Sequence, residues 1–119
     1  PGPVNPWAIN VARGGDVCVL AGASVELWRR SATAAETYVL IPPGGPPRTV
    51  PWPAGADTAA WPADLAVQTG TYVLRDGAGL ERVIALHVIP AATAPADTLA
   101  ALSDARCFVQ AARRIAEAS

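Results

Sequence analysis

Short runs of β-type residues, each ended by a glycine, proline or aspartate, limit the fold of this chain more than any other feature. Runs of about four to eight β-branched and aromatic residues bounded in this way are typical of strands. The runs are Val4–Val11, Val17–Leu20, Val25–Arg30, Thr37–Ile41, Arg48–Trp52, Thr58–Trp61, Thr71–Arg75 and Leu80–Ile89. In a chain of 119 residues they favour an antiparallel β-sandwich of about seven strands.

The last two runs are separated only by Asp76–Gly79, which has the composition of a tight turn. Two strands joined by so short a turn pair antiparallel. The stretch 71–89 is therefore predicted to form a β-hairpin.

The composition changes after residue 90, where alanine becomes frequent and the apolar residues follow a helical period. One helix over residues 97–118 would place Cys107 away from its apolar face, so a break near Ser103 is predicted. The second helical piece then buries Cys107, Phe108, Ala111, Ala112 and Ile115 and exposes Gln110, Arg113, Arg114 and Glu117.

One domain is expected over residues 1–119, with the β-sandwich at 4–89 and a helical segment at 96–118 packed on it. Much of the hydrophobic content is alanine, so few large side chains can fill a core. Phe108 is the only phenylalanine and is predicted to face inward. The helical segment is therefore expected to complete the core rather than to form a detachable tail.

Cys18 and Cys107 are the only cysteines and lie 89 positions apart, so they do not form the CxxC motif of redox or zinc sites. Two interpretations are open: buried free thiols, which behave as small hydrophobic side chains, or one disulfide. A disulfide closing so long a loop would restrict the unfolded chain by roughly 4–5 kcal/mol in the entropic account. Two cysteines among many turn-bounded segments favour the disulfide and a periplasmic or extracellular location.

The net charge of −1 gives no basic field for nucleic acid. No uncharged stretch reaches the roughly 20 residues of a membrane helix, and Leu86–Ala96 contains two prolines, so no membrane insertion is expected. The chain starts at Pro1 with neither an initiator methionine nor an apolar leader. We interpret it as a fragment of a longer mature protein.

Motifs for catalysis are missing from the sequence. His87 is the only histidine, and a lone histidine in a strand is more often packed or exposed than catalytic. The serines match no nucleophile motif, and the aspartates match no calcium-binding loop. We therefore expect no catalytic residue, no metal site and no cofactor.

The four tryptophans are the residues of greatest functional interest. Trp7, Trp28 and Trp61 are predicted to add bulk to the core. Trp52 lies between two prolines in a loop-rich stretch, and exposed rigid aromatic residues often mark a binding surface. Trp52, with Trp61 nearby, is the candidate binding surface.

Local features resemble immunoglobulin-like and fibronectin-III-like modules. Cys18 in an early strand is followed ten residues later by Trp28, and the segment from Trp28 to Leu40 resembles strands C and C′. The segment from Trp61 to Leu74 resembles the entry into strand F.

This resemblance implies that Tyr72 is a corner tyrosine whose hydroxyl bonds to backbone upstream. Leu74 stands where a true immunoglobulin domain has its second cysteine, so a disulfide from Cys18 has to reach the C-terminal helix instead. The chain is also similar to the modules at the ends of FecR-type bacterial envelope proteins.

These features predict a non-enzymatic accessory or protein-interaction module of a bacterial envelope or secreted protein. Its partners would be other protein domains or a cell-envelope polymer. One alternative is a carbohydrate- or cell-wall-binding module, which needs Trp52 and Trp61 exposed. Another is a small enzyme subunit, which needs His87 in a pocket with a carboxylate. The oligomeric state is open.

Overall fold

The computed structural model describes residues 7–30, 34–91, 95–107 and 110–112. Within them the chain forms eight strands, a C-terminal helix and a further helical stretch at residues 110–112. The strands are β1 (Ile9–Asn10), β2 (Gly15–Leu20), β3 (Glu26–Trp28), β4 (Glu36–Ile41), β5 (Arg48–Trp52), β6 (Thr58–Ala60), β7 (Gly70–Arg75) and β8 (Glu81–Ile89), and the helix is α1 (Pro95–Asp104). Each strand overlaps a predicted run, and the prediction of a mainly β chain with a C-terminal helix is confirmed.

The strands form two sheets, with the orders β2-β8-β7-β4-β5 and β1-β3-β6. The predicted hairpin is present, because β7 and β8 pair antiparallel along their length. Its turn is fixed by Asp76, whose Oδ1 accepts hydrogen bonds from the backbone N–H groups of Ala78 and Leu80, both at 2.9 Å. An aspartate at the start of a turn commonly acts in this way.

Two strand pairs are parallel, so the prediction of an antiparallel sandwich is wrong for them. β2 runs parallel to β8, and β1 runs parallel to β3. A tight turn forces two consecutive strands to pair antiparallel. β2 and β8 are far apart in the sequence, and β2 intervenes between β1 and β3, so no turn fixes the direction of either pair.

The two sheets share one main hydrophobic core, which is built by the alternation of inward and outward residues along the strands. Its buried members come from both sheets and are Ile9, Val11, Val19, Val25, Leu27, Tyr38, Leu40, Val50, Trp52, Trp61, Tyr72, Leu74, Ile84 and Leu86. The alternate residues of the five-stranded sheet consequently face outward, and this outer face is where the candidate site lies.

A second hydrophobic cluster forms where the C-terminal segment packs on the outer side of β2 and β8. Its buried members are Cys18, Ile89, Leu102, Cys107 and Ala111. Cys18 and Cys107 form a disulfide with their Cα atoms 6.1 Å apart, which is within the usual range. The predicted pairing of these cysteines is confirmed.

α1 ends in a Schellman motif at the predicted break. The N–H of Cys107 donates to the carbonyl of Leu102 at 2.8 Å, and the N–H of Arg106 donates to the carbonyl of Ser103 at 3.0 Å. Arg106 has the positive φ of 64° that this motif requires. The motif stops the helix and turns Cys107 toward Leu102, which places its sulfur within the second cluster.

Residues 110–112 are also helical. Ala111 is buried as predicted, but Ala112 is exposed and Gln110 is half-buried, so the predictions for these two residues are wrong. Gln110 follows the buried Cys107 by three residues, so the helical turn from Cys107 to Ala111 places it on the same side, against β2. The predicted inward positions of Phe108 and Ile115 lie outside the described residues.

Candidate functional site

Trp52 and Trp61, the candidate binding surface, are both buried, so that prediction is wrong. Trp52 exposes 1% of its surface and Trp61 exposes 8%. Trp52 alternates with Pro51 in β5, and Pro51 takes the exposed position while the indole enters the core. There its ring centroid lies 4.6 Å from that of Tyr38. The proline frame holds the tryptophan in a strand instead of displaying it.

Trp61 and Tyr72 pack together at one corner of the core. The Trp61 Nε1–H donates to the carbonyl of Leu65 at 2.9 Å, and the indole meets the Tyr72 ring edge-on at 5.3 Å between centroids. The Tyr72 hydroxyl donates to the carbonyl of Gln68 at 2.9 Å. The predicted bond from Tyr72 to backbone upstream is confirmed, and the corner is a structural feature.

Trp28 is half-buried and belongs to neither cluster among the described residues, so its predicted role in filling the core is wrong. Leu27 is the inward residue of β3, and the alternation of the strand turns Trp28 to the other side. Trp7 packs against the second cluster, where it does add bulk.

Arg29 is a buried charged residue. Its guanidinium donates to the carbonyls of Ala56 at 2.9 Å and Pro53 at 3.1 Å, and lies 3.5 Å from the Glu36 carboxylate. It also lies 5.7 Å from the ring centroid of Trp52, a cation–π distance. These contacts fix the loop after β5 and compensate the charge, so Arg29 has a structural role.

Tyr38 lies at the same end of the core. Burial raises the pKa of Tyr38 above its ordinary value of 10.0, and the negative charges of Glu36 and Asp76 raise it further. Arg82 and Arg29 act in the opposite direction. A phenol with a raised pKa stays neutral near pH 7, as a core residue requires and as a general base does not.

His87 has a partner that the sequence does not indicate. Its Nε2 lies 2.8 Å from Oδ1 of Asp16. The parallel pairing of β2 with β8 sets Cys18 opposite His87 and so places Asp16 diagonally across from it on one face. No group of three side chains able to hold a metal ion occurs in the part of the chain that the structure describes. The pair is a polar link between two strands beside the disulfide.

An apolar row crosses three strands on the outer face of the five-stranded sheet. Val83 lies opposite Val73 and Val73 lies opposite Ile41, on β8, β7 and β4 respectively. Val83 exposes 57% of its surface, and the other two are half-buried. Val39, two residues before Ile41 in β4, is half-buried on the same face. We name these four residues the open face.

The surroundings of the open face are nearly neutral. Exposed threonines border it on three strands, at Thr37, Thr49 and Thr71. Arg75 and Glu81 flank it as an ion pair 2.7 Å apart, so together they add no net charge. A neutral apolar centre with a polar border is the composition of a protein-contact surface rather than of a polyanion site.

Comparison with known proteins identifies no relative of this chain. No protein-family model matches it, and no curated protein and no solved structure matches it.

No helix within the described ranges is long and apolar enough to cross a membrane.

Proposed function

We propose that this chain is a non-enzymatic protein-interaction module and that the open face is its contact surface. The position of Val83 carries the proposal, because a valine exposed by 57% lies in a continuous row of apolar side chains. Contiguous apolar surface that is left exposed commonly marks a protein contact. The partner that fits is a protein domain presenting an uncharged, apolar surface.

We further propose that the module is an immunoglobulin-like β-sandwich. The core shared by a five-stranded and a three-stranded sheet supports this fold. So does the bond from the Tyr72 hydroxyl to the Gln68 carbonyl, a hallmark of that sandwich. The parallel pairs β2–β8 and β1–β3 are departures from its purely antiparallel form.

A periplasmic or extracellular location belongs to the same proposal. The Cys18–Cys107 disulfide supports it, since disulfides persist in oxidising compartments. The parent protein would be a bacterial envelope or secreted protein, of which FecR-type proteins are one kind.

The two alternatives have less support. A carbohydrate-binding module would need Trp52 and Trp61 on the surface, and both are in the core. An enzyme subunit would need His87 in a pocket with a carboxylate. Asp16 supplies a carboxylate, but the two side chains lie on neighbouring strands and are both partly open to solvent. That arrangement favours a structural link.

Photo-crosslinking from the open face tests the proposal. A photoreactive phenylalanine analogue replaces Val83, and a control carries it at Ala60, which is exposed on β6 of the other sheet. Envelope and secreted proteins of the source organism are the partner pool. We expect a crosslinked species from position 83 that position 60 does not give and that Val73→Asp removes. Equal crosslinking from both positions, or none from position 83, would contradict the proposal.

A further inference from the structure

The edge strand β2 is covered by a side chain and not by a strand. β2 is the first strand of the five-stranded sheet, and its only strand neighbour among the described residues is β8. On its other side, the Cys18 N–H donates to Oε1 of Gln110 at 2.8 Å. The Nε2 of Gln110 donates to the Cys18 carbonyl at 2.8 Å. One side chain therefore satisfies both backbone groups of the central residue of this edge.

The two bonds make the Gln110 amide a substitute for a peptide group. A primary amide has a donor and an acceptor side by side, as a residue of a neighbouring strand has. In a strand paired on one side, alternate residues turn their N–H and C=O groups outward. Cys18 is one of these outward residues in β2, and Gln110 occupies the place that a further strand would take.

Few backbone groups of the β2 edge remain on either side of Cys18. The carbonyl of Leu20, the next outward residue, accepts a hydrogen bond from the N–H of Ala23 at 3.2 Å. Asp16 is the outward residue on the other side of Cys18, and it is exposed. Strand addition at this edge thus requires the backbone groups of Cys18, which are the ones that Gln110 holds.

The opposite edge of the sheet is protected by different means. β5 forms that edge, and it contains Pro51, which has no N–H to donate. Proteins commonly protect exposed edges with prolines, charges or covering segments, because an open edge pairs with other chains. β2 has no proline, and at its centre the backbone groups of Cys18 are held by Gln110 of the C-terminal segment.

We propose that Gln110 keeps the β2 edge closed, and that this edge is a latent site for pairing with the β2 edge of a second copy. Antiparallel pairing centred on Cys18 would set Asp16 of one copy opposite Leu20 of the other, so like charges would not meet. The site is separate from the open face, and the proposal does not depend on the function assigned to that face.

Substitution of the two glutamines of the chain tests the proposal. Gln110→Leu retains most of the side-chain volume but removes both hydrogen bonds, and Gln110→Ala removes the volume as well. Gln68→Leu is the matched control, because the Gln68 side chain is exposed. All are measured by sedimentation velocity over a range of concentrations, and by hydrogen exchange of the Cys18 amide at low concentration. The disulfide stays intact throughout.

We expect Gln110→Ala, which clears the edge, to form dimers at high concentration, while Gln110→Leu, which still fills the space, and Gln68→Leu stay monomeric. At low concentration the Cys18 amide should exchange about tenfold faster in the Gln110 variants, as loss of one hydrogen bond implies. Adding Val83→Glu should leave the dimer intact. A monomeric Gln110→Ala, an unchanged exchange rate, or a dimer that Val83→Glu dissolves would each overturn the proposal, the last by placing the contact on the open face.

Discussion

The Tyr72 hydroxyl is the single polar group whose removal has the clearest expected cost. Tyr72 is buried, and its partner is the Gln68 carbonyl at 2.9 Å. Tyr72→Phe keeps the packing against Trp61 and removes only this bond. We expect a loss of about 0.5–1.5 kcal/mol in the free energy of unfolding. Urea denaturation measures it, with Thr71→Ser on the exposed side of β7 as control. An unchanged urea midpoint for Tyr72→Phe would refute the stabilising role assigned to the bond from the Tyr72 hydroxyl to the Gln68 carbonyl.

The raised pKa of Tyr38 implies that the free energy of unfolding depends on pH in the alkaline range. Its pKa is raised above 10.0 in the folded state, by burial first and by the Glu36 charge second. Below pH 10.0 both states keep the phenol proton. As the pH rises above that value, the unfolded chain releases its proton first, so the free energy of unfolding decreases. The urea midpoint is measured at pH values above and below 10. With rising pH it should fall less steeply in Tyr38→Phe than in the wild type. Equal dependence of the midpoint on pH in the two proteins would contradict the prediction.

The sequence predicted where some of these side chains lie in the fold, but it did not predict the others. Tyr72 could be placed because the segment before it resembles a known corner, and the cysteines because the turn-bounded segments around them favour a disulfide over two buried free thiols. Trp52 could not, because its flanking prolines are typical of both a displayed loop and an edge strand. Gln110 could not, because its partner is backbone, and a strand edge leaves no mark in the sequence of the residue that covers it.

At the scale of elements, the turn-bounded runs predicted every strand that the structure describes. The end of α1 was predicted because one continuous helix would have placed Cys107 away from its apolar face. These features are local, since turn residues and apolar periods act within a few positions. Strand direction is not local. The parallel pair β2–β8 follows from contacts between distant parts of the chain, and it creates the Asp16–His87 link that sequence reasoning missed.

The C-terminal end of α1 can be improved by one substitution. Arg106 has a φ of 64°, a conformation that is costly for a side chain with a Cβ and easily adopted by glycine. Arg106→Gly should therefore raise the free energy of unfolding by about 0.5–1 kcal/mol. Ala105→Gly, one residue earlier in the same turn, is the control and should give no gain. A lower thermal midpoint in Arg106→Gly would show that the guanidinium makes contacts that outweigh the strain.

The whole molecule has hydrophobic clusters on both faces of its five-stranded sheet. The main core fills the inner face, and the second cluster joins the C-terminal segment to β2 and β8 on the outer face. The open face occupies the rest of that outer side. The C-terminal segment thus has two roles: it covers apolar residues of β2 and β8, and it closes the β2 edge through Gln110.

These two roles predict that the C-terminal segment is required for folding and does more than anchor the disulfide. Cys18→Ala with Cys107→Ala removes the cross-link over 89 residues together with two buried sulfur atoms, and loss of the cross-link should cost about 4–5 kcal/mol in the entropic account. Since a domain of this size has up to about 15 kcal/mol in total, we expect the double variant to melt cooperatively, at a lower temperature. A chain of residues 1–94 also loses Leu102, which is fully buried, and leaves Ile89 uncovered and the β2 edge open. We expect it to aggregate or to show no cooperative thermal transition by circular dichroism. If residues 1–94 melted as cooperatively as the double cysteine variant, the segment would be an appendage whose contribution is the disulfide alone.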